Sequence, residues 1–383
     1  MPATILILGA TGMTGRALTP LLLTHTDARL ILAGRDDTDL ARAAAALAQP
    51  ARVSTRVFDA MAPTAQLTPR FAGADLVVVV APVTNGLPQI VHAAAAAGAD
   101  TLDIQFSSAK LAALRALEPE LVQAGRTAIT DGGFHPGLPG LMARAVEDRF
   151  DRIRSARIAS IIQEDWRRLT IRPETAREFV EFITDMRPEH FRAGRWQLEG
   201  ALSKEATPFF DFGPPFGRQR CYAMGLEELR LWTEARPGLA DAGFYVAGFN
   251  SIVDHLLLPL CLLGRRLAPV SSVGPLSRLL LWGLRAFGHP PYATLLRLEA
   301  EGERDGRPAS VVLTIAHADT YAMTAFPVAA TVRQWLSGTL RGPGLRFQAL
   351  ATDPHVFLED LRLFGATIVE QATSSAEAAP ATA

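Results

Sequence analysis

Three glycines at the start of the chain have the spacing that a phosphate-binding turn needs. Gly9, Gly12 and Gly15 lie in ILILGATGMTG, directly after an apolar run, Thr4–Leu8, and before a helical stretch, Arg16–Thr24. A tight strand-to-helix turn requires a residue without Cβ, and a pyrophosphate requires close approach of the backbone. The helix that follows offers unpaired N–H groups to an anion. The loop Gly9, Ala10, Thr11, Gly12, Met13, Thr14 and Gly15 is therefore expected to cradle a dinucleotide. Its spacing is GxxGxxG rather than the commoner GxGxxG. Past the next apolar run comes LILAGRDD, so Arg35 stands where an Asp or Glu would contact an adenosine ribose. A guanidinium suits a 2′-phosphate through bidentate, charge-assisted bonds, which favours NADP and leaves NAD as the lesser choice. The alternative pairs Arg35 with Asp36 or Asp37 and lets Asp36 read the ribose. Asp59 is placed either to meet the adenine or to cap a turn, and Ala81, Pro82 and Thr84 stand where nicotinamide ribose passes.

Groups for proton transfer are less evident. None of Tyr222, Tyr245, Tyr292 and Tyr321 is followed by Lys four residues later, so the Tyr-x-x-x-Lys pair for carbonyl reduction is absent. The candidates that remain are His135, Asp103 and Asp131, with Gln105 and Tyr321 behind them. His135, in GFHPG, is the residue best suited to titrate near neutrality. A lone His in a Pro/Gly turn is more often a hydrogen-bonding turn residue, and Asp103 serves equally as a cap before Ser107–Ser108. Gly132 and Gly133 free the backbone to lie against a flat ring, or else form a rigid boundary. The eight histidines are scattered and match no metal-ligand spacing.

The elements that must position these groups alternate. Strands are expected at Arg29–Ala33, Arg52–Asp59, Leu76–Ala81, Thr101–Ile104 and Thr127–Thr130. Helices are expected at Thr38–Ala48, Pro88–Ala97 and Ala109–Ala124, and four consecutive valines mark Leu76–Ala81 as a strand buried on both faces. This is a Rossmann-type, doubly wound α/β domain over residues 1–140. From 141 to 345 the pattern becomes that of an α+β domain on a mostly antiparallel sheet, with a hairpin around GERDGRP. A helix and strand over 346–372 are expected to pack back on the body, and 373–383 to be a disordered tail.

Acidic and basic residues nearly cancel, which excludes the basic surface that nucleic acid requires. Two cysteines make no disulfide framework, and the N-terminus reads as a strand rather than a signal peptide; a cytoplasmic location follows. The leucine-rich segment 252–287 falls short of a membrane span. It reads as core, as the interface of a homodimer, as a lid over an apolar substrate, or as an amphipathic contact with a membrane surface.

The segments GATGMTG with AGR, AAAAAGADTLDIQ, TDGGFHPGLPGLMAR and DTYAMTAFPVAATVRQWLSG together resemble the saccharopine dehydrogenase (saccharopine reductase-like) family. The family's aGxxYxD turn falls at Gly98–Asp103, without its tyrosine, and its GxxPGxxxLLA turn at Gly133–Ala143. The match is weaker between Ile153 and Pro290. The resemblance implies a second domain closing over the nicotinamide and reduction of a C=N bond on a small amine- or amino-acid-derived substrate. A lipid branch of the family implies C=C (enoyl) reduction instead. A third reading is a redox sensor that binds NADP without turnover.

Overall fold

The computed structural model describes residues 2–374, apart from 170, 172, 201, 202, 251, 269, 270 and 341. The first strands are β1 (Thr4–Leu8), β2 (Arg29–Gly34), β3 (Val53–Val57), β4 (Leu76–Val79), β5 (Asp100–Asp103) and β6 (Thr127–Thr130). Between them run α1 (Met13–His25), α2 (Asp37–Leu47), α3 (Thr64–Phe71), α4 (Leu87–Ala96) and α5 (Ser108–Ala124). After α6 (Leu138–Ala145) come β7 (Arg152–Gln163), α7 (Pro173–Asp185), β8 (Glu189–Arg192), β9 (Arg195–Leu198), β10 (Phe209–Asp211) and β11 (Arg218–Met224). Next are α8 (Glu227–Glu234), β12 (Asp241–Ala247), α9 (Leu258–Leu267), α10 (Val273–Phe287), β13 (Ala293–Arg304) and β14 (Arg307–His317). The chain ends with α11 (Thr320–Leu336), β15 (Gly344–Phe347), α12 (Gln348–Ala351), α13 (Pro354–Phe364) and β16 (Thr367–Ser374).

Two compact units result: Met1–Leu141 with Tyr321–Phe364, and Met142–Thr320 with the segment from Gly365. The first contains a seven-stranded sheet in the order β15-β6-β5-β4-β1-β2-β3, with all its pairings parallel. Its central strands are closed to solvent on both faces, as Ile5–Ile7 and Leu76–Val79 show at 0% exposure. That is why the sequence there is an unbroken aliphatic run rather than an alternation. The order reverses between β1 and β4. In an open parallel sheet, the crevice at the carboxyl ends of such a pair is where ligands bind.

The expected boundary at 345 is corrected by the return of residues 321–364 to this unit. α11 is apolar nearly all round, and a run of its residues from Phe326 to Val332 is buried. Trp335 Nε1 donates to Asp100 Oδ2 at 2.9 Å, and Arg333 pairs with Asp360 at 3.0 Å. β15 adds an edge strand, Gly344 opposite Thr127. A helix with no polar face needs cover on every side, and nearness along the chain does not reveal which unit provides it.

The second unit is built on a nine-stranded sheet whose main path is β10-β11-β12-β7-β13-β14-β16, with β8 on β12 and β9 on β8. Every pairing in it is antiparallel except β12 with β7. The β13–β14 hairpin turns at Asp305 and Gly306, both with positive φ (51° and 69°), the geometry of a two-residue turn matched to strand twist. β16 continues to Ser374, past the segment expected to end at 372; the remainder of the expected disordered tail lies outside the described residues. Among the described residues no helix is long and apolar enough to cross a membrane.

Candidate active site

The glycine loop follows β1 at the reversal point of the first sheet. Gly9 has φ +92°, its N–H bonds Ala33 O at 3.1 Å, and a Cβ there would stand 2.7 Å from the amide nitrogen of Ala81. At Gly15 a Cβ would lie 2.4 Å from Gly9 O, so α1 packs on the turn only because the residue is glycine. Gly12 is the N-cap of α1, with no side-chain cap and no acidic residue in the first turn. The helix thus opens with N–H groups available to an anion. Arg16 Nε pins Thr11 O at 2.9 Å. Gly9 through Gly15 and Ala81 are brought together as expected, and the cradle fits a pyrophosphate because every position that a Cβ would block is glycine.

Arg35 is exposed at the end of β2. Asp36 is engaged elsewhere: its Oδ1 caps α2 by accepting from Asp39 N at 2.8 Å. One oxygen of the carboxylate that the alternative assigns to the ribose is thus committed to the start of α2. Asp59 Oδ1 accepts from Met61 N at 3.0 Å, a turn-capping bond. Pro82 is exposed and Thr84 opens a short 3₁₀ turn before α4.

Asp103 and Asp131 meet through a residue that the sequence reading passed over. Lys110, in the first turn of α5, reaches Asp131 Oδ1 at 2.7 Å, Thr130 Oγ1 at 2.9 Å and Asp103 Oδ1 at 3.1 Å. It also donates to the carbonyl of Gln105. All three charged side chains are buried. Burial pushes the Asp103 carboxyl above the usual range, against the pull of Lys110. Burial also opposes the charge on Lys110, but the Asp103 and Asp131 carboxylates outweigh it and hold the ammonium above its usual value. Asp103 Oδ1 further accepts from Gln105 N at 3.1 Å, while Ser107 caps α5 through Lys110 N at 3.2 Å. A signal for Lys110 was present: it is one of two lysines in the chain, and it stands where a helix dipole disfavours a cation.

The cluster holds the turn after β6. Asp131 has φ +57°, Gly132 N bonds Asp103 O at 2.8 Å, and Gly133 N bonds Pro136 O at 3.0 Å. Gly133 through Gly140 are buried apart from His135, which is partly so. Burial lowers His135 from 6.5 to about 4. This corrects the expectation that His135 titrates near neutrality: desolvation penalises the imidazolium, and the ring is neutral at physiological pH. Gln105 crosses to the end of β4, where Nε2 donates to Ala81 O at 2.7 Å. Its Oε1 is buried without a partner among the described residues. Tyr321 starts α11 and is not among the groups that hold Lys110.

The second unit has a cavity of about 260 Å³ whose walls include Gln163, Gln219, Arg220, Tyr222, Asn250 and His289. On β11, Cys221 and Ala223 turn into the core, and Arg220 and Tyr222 lie on the opposite face. Arg220 Nη2 donates to Thr207 Oγ1 at 2.8 Å, and no carboxylate pairs with it among the described residues. Burial first, and then the charge of Asp254, raises the Tyr222 phenol. The sequence reading did not single out this group; the two-residue period of RQRCYAM was its only trace.

Residues 5–129 match the family described as saccharopine dehydrogenase NADP binding domain. Among solved structures, the chain is similar to apo saccharopine dehydrogenase (L-Glu forming) from Saccharomyces cerevisiae, with 17% identity and a TM-score of 0.69 over 97% of this chain and all of that one. It is also matched by a DAP dehydrogenase from C. glutamicum in complex with DAP, at 14% identity and a TM-score of 0.47 over 94% of this chain and 98% of that one. No curated protein sequence matches the chain.

Proposed function

Since residues 5–129 match the saccharopine dehydrogenase NADP-binding domain family and the chain has a saccharopine dehydrogenase-like fold, we propose that it transfers a hydride between NADP and the C=N bond of a small amine- or amino-acid-derived substrate. One observation carries this reading. At the carboxyl edge of the first sheet, among the described residues, Asp103 and Asp131 are bound up with Lys110, and His135 is neutral. Reduction of a ketone needs a proton on oxygen, and reduction of an enoyl group needs one on carbon. An iminium already carries its proton, so a site of this kind needs only to bind, orient and exclude water.

Gly9, Gly12, Gly15 and the first turn of α1 would hold the pyrophosphate, and Arg35 the 2′-phosphate. When bound, the nicotinamide supplies or accepts the hydride. Gln105 is held to Ala81 and keeps an acceptor oxygen for an N–H of the ligand. The Lys110 cluster fixes the Gly132–Gly133 backbone in place. Within the second unit, Arg220 and Tyr222 line a polar cavity suited to a carboxylate such as an amino-acid derivative carries.

The enoyl alternative drew on the apolar segment 252–287. Leu256, Leu260 and Leu263 are exposed rather than lining that cavity. The test is NADPH oxidation by purified protein, followed by nicotinamide absorbance, with mixtures of amines and 2-oxo acids and separately with enoyl thioesters. Turnover with the mixtures is expected. Turnover with thioesters alone selects C=C reduction, and tight NADPH binding with neither selects the sensor.

A further inference from the structure

A helical hairpin of the second unit carries apolar surface that its core does not use. The π-helical turn Val253–Leu257 runs into α9, and α10 packs beside it. Val253, Leu257, Cys261, Leu276, Leu280 and Leu284 form their shared core with Val180 of α7. The outward side of the first helix is apolar as well. Ile252, Leu256, Leu260, Leu263 and Leu267 are exposed at steps of four, four, three and four, with Leu256 at 62% and Leu267 at 75%. That spacing is one stripe of a helix, about 22 Å long. Trp282 on α10 is 57% exposed. From His255 to Phe287 there are four arginines, 265, 266, 278 and 285, and no Asp or Glu. Arg266 and Arg278 are exposed.

We infer that this hairpin lies flat on an anionic lipid surface, with the leucine stripe and Trp282 in the acyl boundary and Arg266 and Arg278 at the headgroups. Exposed leucines in such a row are costly in water and stabilised at an interface, where indole also partitions. The charge selects lipid over a second copy of the chain. A two-fold contact through this face would set arginine against arginine, and the one carboxylate of the segment, Asp254, is engaged with Phe249 N at 2.9 Å. The helices are too short to span, so the contact is peripheral. It does not depend on which bond the enzyme reduces.

The test is co-sedimentation of the full chain with phosphatidylcholine vesicles, with and without phosphatidylglycerol. Binding to the anionic vesicles alone, weakened by salt, is the expected result. A Leu260→Glu/Leu263→Glu variant loses the binding, and Arg265→Ser/Arg266→Ser/Arg278→Ser lowers affinity on the order of a hundredfold. NADPH binding by fluorescence, unchanged in both, shows that the variants are folded. Absence of vesicle binding overturns the inference, as does binding indifferent to either variant. So does a wild-type dimer that Leu260→Glu/Leu263→Glu turns into monomers.

Discussion

Lys110 Nζ lies 2.7 Å from Asp131 Oδ1, joining the first turn of α5 to the end of β6 in a region closed to water. With Asp103 on its other side, one cation serves two carboxylates. The pair ties together two adjacent strand ends and the turn that carries Gly133 and His135.

Removing the cation is therefore expected to cost more than removing one anion. Lys110→Met leaves two buried carboxylates facing each other, and loss of one partner from a buried pair typically costs about 3–5 kcal/mol. Asp131→Asn leaves Lys110 paired with Asp103 and costs about 1–3 kcal/mol. Urea denaturation of the two variants checks the order. If Lys110→Met unfolds no more readily than Asp131→Asn, the cluster is not what holds the turn.

His135 makes stability depend on mild acid. Its folded value, about 4, lies below the ordinary 6.5, so the unfolded chain takes up the proton first as pH falls. The contribution is whole above 6.5 and is lost progressively as pH drops through about 4. Fully developed it amounts to about 3 kcal/mol. A His135→Gln variant should show a flatter fall in urea midpoint across that window than the wild type. Parallel curves for the two proteins would mean that the ring is not desolvated.

Arg35 is expected to set the choice between the two nicotinamide dinucleotides. A hydrogen bond to a charged group contributes about 1.5–3 kcal/mol, so Arg35→Ala should weaken NADPH binding by roughly 10- to 100-fold. Binding of NADH, which lacks the 2′-phosphate, should change little. Asp36→Asn should leave both nearly untouched, since its side chain serves as the cap of α2. Fluorescence titration with both dinucleotides decides it, and equal losses for NADPH and NADH would rule out a 2′-phosphate contact.

What the sequence disclosed and what it hid follow from the range of the interactions. The strand β4 was legible because four valines in a row suit only a strand buried on both faces. Gly9, Gly12 and Gly15 were legible because their constraint is local, a turn that admits no Cβ. Lys110 was hidden, because its partners at 103 and 131 become neighbours only once β5 and β6 pair in parallel. The return of α11 and β15 to the first sheet was hidden for the same reason. Arg220 became prominent only when β11, β12 and β7 were aligned, one of those pairings being parallel in a mostly antiparallel sheet.

Arg220 gives the sharpest test of the substrate reading. It reaches Thr207 Oγ1 at 2.8 Å and has no carboxylate partner among the described residues, on a strand face that lines a polar cavity. If it receives a substrate carboxylate, Arg220→Ala should raise KM by roughly 10- to 100-fold. Affinity for NADPH should stay constant, because a residue that serves the substrate alone leaves dinucleotide binding untouched. Arg220→Lys, which keeps the charge but loses the two-pronged geometry, should recover part of the loss. A merely structural role would show itself differently, in a lowered urea midpoint and loss of kcat with KM unmoved. Steady-state kinetics on the amine and 2-oxo acid mixtures, run beside the denaturation curves, separates the two.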